Sequence, residues 1–328
     1  MGGAAPTAES VPDAGLVVIE AAAGRLDAPE VAPGVVLLGL HRTGARPQEI
    51  PDRFDILLST DPDAPRPWAA VTAQAADAAV DELRAAVART PIAAAVAAQV
   101  LRTSADLAWE AALVVESLAY SMLLSGGEFR AWRAGTPVRG RPSTGRRVEL
   151  ARKDGALLVT LVRAEARNAV DARMRDQLVE ALEFALIDPE AGPVVLGADG
   201  PAFSSGGDLN EFGDATDVAL AHAIRLQQAP VRLAHALGER LAARLHGACV
   251  GAGIELPASA ARVTAAPDAW FRLPEVGMGL IPGAGGTVSI PRRIGRQRTC
   301  FMAISGRDID ARTGLAWGLV DAIEPGGP

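Results

Sequence analysis

Apolar and polar positions change their spacing several times along the chain, and each change marks a predicted element. Residues 16 to 60 hold three short apolar runs, GLVVIE, GVVLLGL and FDILLST. Their branched side chains and flanking Pro, Gly and Asp residues predict short strands. DPDAPRPW then breaks the pattern, because clustered prolines and aspartates favour turns. From Ala69 to about Trp132 apolar residues return at helical spacing. DAAVDELRAAVART sets Ala79, Leu83 and Val87 on one face, and DLAWEAALVVESLAYSMLL does so with Leu107, Ala111, Val114 and Leu118. These spacings predict amphipathic helices, the second capped by Asp106. Residues 134–150, AGTPVRGRPSTGRRVEL, read as a linker or extended arm, since separated prolines and glycines do not continue a helix.

From Val148 onward strands and helices alternate. GALLVTLVR, AGPVVLGA and AARLHGACV read as strands. AVDARMRDQLVEALEFAL reads as a helix, and residues 218–243 as mostly helical with a break at QAPVR. That order implies crossover units and partly buried parallel strands, an α/β fold. The chain thus divides into residues 1–147, short strands followed by helices, and residues 148–328, an α/β core.

Composition narrows the functions open to such a chain. With 328 residues and 49% hydrophobic content it can bury one large core or two small ones. A formal net charge of −7 argues against a nucleic-acid binder, whose face is normally basic. The two cysteines, Cys249 and Cys300, are far apart. They allow no disulfide framework and no CxxC pair, which favours a cytoplasmic setting. The opening MGGAAPTAESVPDAG reads as a ragged tail rather than a signal peptide. AAAVAAQV and AALVVESLAY are too short and too interrupted to span a bilayer. His41, His222 and His235 have no Cys or Asp spacing suggesting a metal site.

Two glycine-rich loops leave strands, FSSGGDL and HGACVGAGIEL. Small residues let backbone approach a ligand closely, and amides at a helix start are unpaired. Two such amides from different strands could meet one oxygen and stabilise negative charge developing on it. Each loop alone also reads as a tight turn, and neither carries a phosphate-binding fingerprint.

The segments LLVTLVRAEARNAVDARM, GPVVLGADGPAFSSGGDLNEF, HGACVGAGIEL, FRLPEVGMGLIPGAGGT and GRDIDARTGLAWGLVDAI follow one another between about residues 148 and 323. In order and separation they resemble the enoyl-CoA hydratase/isomerase (crotonase) superfamily. The resemblance implies a crotonase-like spiral (ββα) core, here with an additional helical region. It implies acyl-CoA thioester substrates, no cofactor beyond the coenzyme A that the substrate carries, and a homo-oligomer, trimer or hexamer. It places backbone oxyanion donors at Ser205 and Ala252, with Gly206, Gly207, Gly251 and Gly253 keeping the chain close. Glu255 and Glu275 align with the two glutamates that hydratases use to hold a water, and isomerases often keep only the later one. Arg163 and Arg167 suit the phosphates of coenzyme A.

Hydration of a 2-enoyl-CoA is the leading expectation. Double-bond isomerisation with Glu275 alone, hydrolysis, carbon–carbon cleavage and a non-catalytic acyl-CoA-binding subunit are the rivals. Pro257, just after Glu255, departs from the family pattern and bears on the placing of that carboxylate. Asp208 reads as structural, His246 as a satisfied strand-end histidine, Cys249 as a buried thiol, and Trp270 and Phe271 as core first and acyl pocket second. Residues 81–135 resemble the helical tail that ordinary members carry after the core, which suggests a circular permutation. An unrelated helical domain is the alternative, and FDILLSTDPDAPRPWAAV faintly resembles a decayed first copy of the core.

Overall fold

A computed structural model describes residues 15–138, 145–188, 190 and 192–325. Four parallel strands come first, adjacent in chain order: β1 (Gly15–Glu20), β2 (Val35–His41), β3 (Ile56–Ser59) and β4 (Ala69–Ala70). Strand β2 is buried throughout, and its side chains alternate between the two faces of the sheet. Val36, Leu38 and Leu40 join the main apolar cluster, whereas Leu37 packs with Leu26, Phe54, Leu57 and Trp68 in a smaller one. Helices α1 (Ala76–Arg89), α2 (Pro91–Thr103), α3 (Trp109–Leu124) and α4 (Gly127–Ala134) follow.

The remainder winds as a spiral. In chain order it runs β5 (Val148–Lys153), β6 (Ala156–Leu161), α5 (Ala172–Ile187), β7 (Val194–Ala198), α6 (Val218–Gln227), α7 (Pro230–Leu237), β8 (Leu241–Leu245), β9 (Ala248–Val250) and α8 (Ala252–Glu255). It continues with β10 (Arg262–Ala265), β11 (Trp270–Arg272), α9 (Gly286–Ile294), α10 (Arg296–Ser305), β12 (Ile309–Asp310), α11 (Ala311–Trp317) and β13 (Ala322–Ile323). One sheet has the order β13-β10-β8-β7-β6-β5, parallel except for the β5–β6 hairpin. A second, smaller sheet has the order β12-β11-β9. Successive turns place one strand in the large sheet and then one in the small sheet, as β8 to β9 and β10 to β11 do. The turn after β7 does the same through a bridge between Ser204 and Cys249. Both glycine-rich loops therefore leave this second layer side by side.

A single apolar cluster runs through both regions of the chain. Helix α10 stands between them: the Arg298 guanidinium donates to the Trp68 carbonyl at 2.7 Å, and that of Arg296 to the Phe54 carbonyl at 2.9 Å.

Ala79, Leu83 and Val87 of α1 are buried, as their spacing predicts. Helix α3 inverts the expectation. Ala111, Val114 and Leu118 face outward, while Glu116, Ser117 and Ser121 are buried beside Ala112 and Leu113. Asp106 is not its cap, because α3 starts at Trp109 after Ala108 and has no side-chain cap. The polar face turns inward because the core supplies it with hydrogen-bond partners.

Candidate active site

The two glycine-rich loops touch. Gly206 has φ +87°, and a Cβ there would lie 2.8 Å from the Val250 carbonyl oxygen, so no larger residue fits without moving backbone. Accounting for the amides shows which ones remain open. The Ser205 N–H donates to the Arg167 carbonyl at 2.9 Å and the Asp208 N–H to the Val170 carbonyl at 2.9 Å. The Gly206 N–H donates to Ser204 Oγ at 3.1 Å. Among the described residues the Gly207 N–H has no partner, nor does that of Ala252 at the start of α8. Gly207 and Ala252 line one large cavity, and Ser205 does not. The expectation of an open amide at Ser205 is thus corrected: the amide left open on this cavity wall is that of Gly207. Gly206, with its φ of +87°, breaks the extended backbone between them, so that Ser205 is turned toward the 167 loop and the Gly207 amide is left open.

Glu255 and Glu275 are both buried and both line this cavity. Their carboxyl groups converge at Gly251: a Cβ there would lie 3.7 Å from Glu255 Oε1, and closer still to Glu275 Oε1. Pro257 begins a short 3-10 turn beyond α8, so its missing amide removes no bond that holds Glu255. Glu255 Oε2 accepts from the Ala284 N–H at 2.7 Å and the Gly286 N–H at 2.8 Å.

A third carboxyl group occupies the intervening amides. Glu116 of α3 accepts from the Gly285 N–H at 2.8 Å, the Thr287 N–H at 2.9 Å and Thr287 Oγ1 at 2.7 Å. Four consecutive amides at the start of α9 are therefore shared alternately by Glu255 and Glu116. Such amides have no acceptor within their own helix and carry partial positive charge, which suits carboxylates. The sequence carried one signal for Glu116, an acidic residue that interrupts the apolar run of α3.

Burial raises the proton affinity of all three. Burial pushes Glu116 up to about 7, against the pull of the Thr287 and Gly285 donors. Burial pushes Glu275 up to about 8, and the charge of Glu116 adds to it. Glu255 is also raised, by burial and then by the charges of Glu275 and Glu116. Two adjacent buried carboxyls share a proton rather than ionise together. The two carboxyls differ in their hydrogen bonds. Glu255 Oε2 accepts two amide bonds, which stabilise the anion, while Glu275 Oε2 is buried without a partner. Those two amide bonds favour the anion at Glu255, while burial and the charges of Glu275 and Glu116 oppose it.

The cavity has a volume of about 590 Å³. Leu113, Tyr120, Leu178, Phe212 and Val231 contribute apolar wall, and Arg225 contributes a charge. Trp270 and Phe271 are not part of that wall, and Phe271 is fully buried in the core. Arg163 does not face a ligand: it is buried, 2.8 Å from Asp208 and 3.2 Å from Asp171. Its two ion pairs brace the loop, so its assignment to coenzyme A phosphates is corrected. Arg167 is exposed beside the first loop. His246 is held by the Gly200 carbonyl at 2.9 Å. Cys249 is buried, and burial raises its thiol far above the ordinary range, leaving it unreactive.

The sequence model of the enoyl-CoA hydratase/isomerase family matches residues 151–327. The chain belongs to this family. The 2,3-dehydroadipyl-CoA hydratase of Escherichia coli (strain K12) is 36% identical over 176 residues, covering 54% of this chain and 68% of that protein. A solved enoyl-CoA hydratase from Thermoplasma volcanium GSS1 shares 31% identity with a TM-score of 0.50, covering 55% of this chain and 72% of that one. The enoyl-CoA hydratase of Mycobacterium smegmatis shares 28% identity with a TM-score of 0.51, covering 55% and 71%. The fold is the α/β crotonase-like one, and the chemistry is that of acyl-CoA thioesters. The family match starts at residue 151, so Glu116 and Tyr120 reach the site from outside it. Among the described residues no helix is long and apolar enough to cross a membrane.

Proposed function

We propose that this protein adds water across the double bond of a 2-enoyl-CoA. The observation that carries the reading is the convergence of two buried carboxyls, one stabilised as anion and one as acid, in the cavity lined by the Gly207 and Ala252 amides. The thioester oxygen accepts from those two amides. Glu255 takes a proton from a water whose oxygen attacks C3, and the electron pair of the double bond moves toward the thioester oxygen. The two amides meet that charge as it develops, and in comparable sites one such donor is worth about 3–4 kcal/mol. Glu275 then gives its proton to C2. Glu255 has gained a proton and Glu275 has lost one, and transfer within the pair resets the site. Gly206, Gly251 and Gly253 hold the backbone close, and exposed Arg167 is the remaining candidate for a coenzyme A phosphate. Substitution of each carboxyl separates this reading from its rival. Hydration requires both, so Glu255→Gln and Glu275→Gln should each lower turnover by about a hundredfold or more. Isomerisation would leave Glu255→Gln near wild type and cripple Glu275→Gln alone.

The reading extends to a homo-oligomer, trimer or hexamer, supported by the outward apolar residues Leu118, Met122 and Leu220. Two free buried cysteines support a cytoplasmic setting. Residues 81–135 are read as the displaced family tail, supported by the way α3 supplies Glu116 to α9.

A further inference from the structure

Arg225 of α6 stands on the same cavity wall as both glutamates. Its Nη1 donates to Ser117 Oγ at 3.1 Å, Ser121 Oγ at 2.9 Å and the Ser117 carbonyl at 3.3 Å. The guanidinium carbon lies 4.3 Å from the centre of the Tyr120 ring. His222, one helical turn earlier, holds Ser117 Oγ at 2.9 Å. The group is thus fixed in place by neutral partners on α3. Among the described residues no carboxylate lies within 4.0 Å of it, and its Nε and Nη2 make no hydrogen bond.

Two other arginines border the cavity, and neither is comparable. Arg175 is paired with Asp176 at 2.7 Å, and Arg232 is exposed. Arg225 alone of the three is half-buried and unpaired. Withdrawing a cation from water is costly unless an anion meets it. Serine hydroxyls, a ring face and the charge of buried Glu116, which lies beyond ion-pair distance, offset only part of that cost. The unused Nε–Nη2 edge is the planar fork that accepts a carboxylate through two parallel hydrogen bonds.

We propose that Arg225 recognises a carboxylate at the far end of the acyl chain, so that the substrate class is ω-carboxyacyl-CoA thioesters. This inference rests on the acyl-CoA reading of the site. A ligand whose thioester sits at Gly207 and Ala252 extends its chain through the shared cavity, past the Tyr120 ring, to the guanidinium. The Tyr120 ring and Leu113 cover the methylenes between the two polar ends.

Binding of unreactive saturated ligands tests the assignment without any turnover. Hexanoyl-CoA and its ω-carboxylated counterpart are titrated into the full chain by calorimetry. The wild type should bind the carboxylated ligand at least roughly tenfold more tightly, as expected for a charge-assisted pair. Arg225→Met should remove that preference, and Arg225→Lys should restore part of it. Equal affinity of the wild type for the two ligands overturns the proposal, whatever the variants do. Equal loss of affinity for both in Arg225→Met also overturns it, since that places Arg225 on the coenzyme A portion. Failure to bind either ligand would instead strike the acyl-CoA reading.

Discussion

Glu275 has one carboxyl oxygen buried with no partner, and Glu255 has one that accepts two amides. In the proposed mechanism that asymmetry makes one of two like residues the acid and the other the base. It also makes stability depend on pH. The ordinary value for Glu275 is 4.5 and the folded value about 8. The folded state therefore binds a proton that the unfolded chain has released, throughout the interval between them. Its contribution to stability is complete below about pH 4.5 and is lost as pH rises through about 8. Glu275→Gln has no such proton to lose. Its stability relative to wild type should rise steadily from pH 5 to pH 8 in urea titrations. A constant difference between the two proteins would contradict the raised proton affinity. The residue names in LPEVGMG and GAGIEL marked both carboxyls, but their inequality was not legible, because it depends on which amides reach them. The open amide at Gly207 was missed for a related reason: the motif locates the loop, and only its hydrogen bonds show which amide stays free.

At the scale of elements, α3 and α9 form a unit. Glu116 and Glu255 interleave along the first amides of α9, so shifting one carboxyl shifts the backbone that holds the other. Apolar spacing predicted helix α3 correctly but placed the wrong face inward. Val114 and Leu118 are exposed, and the buried polar face exists because partners from distant sequence satisfy it. Glu116→Gln should test the unit. The new side-chain amide would point an N–H group at a backbone donor, leaving buried donors unpaired at a cost of about 1–3 kcal/mol. Turnover should fall by roughly tenfold or more while KM changes less, because Glu116 holds the α9 amides that position Glu255. Its pH profile separates positioning from a merely structural loss. The charge of Glu116 helps raise Glu275, so the alkaline fall in kcat/KM should move to lower pH in the variant. An unmoved profile would reduce Glu116 to a structural brace.

On the scale of the whole molecule, the boundary near residue 147 divides the sequence but not the core. One apolar cluster spans both sides, and α10 joins the first sheet to the spiral. The alternation of strands and helices after Val148 made an α/β core of crossover units legible, and the order of motifs made the family, and with it the spiral, legible. The junction was not legible, because contacts such as Glu116 with Thr287 link positions far apart in sequence. The exposed residues Leu118 and Met122, at 55% and 54% exposure, lie outside the cavity wall. If this face joins subunits, Leu118→Lys should lower the mass seen in sedimentation and leave the monomer folded. An unchanged mass would remove this face from the interface.

The most direct test of the central claim is the mass of the product. The wild-type chain is incubated with uncharged and ω-carboxylated 2-enoyl-CoAs in deuterated water, and the products are read by mass spectrometry. Hydration predicts an intact thioester that has gained one water, with deuterium fixed at C2 by way of Glu275. An intact thioester with no added water and a moved double bond would contradict the account, as would release of free coenzyme A.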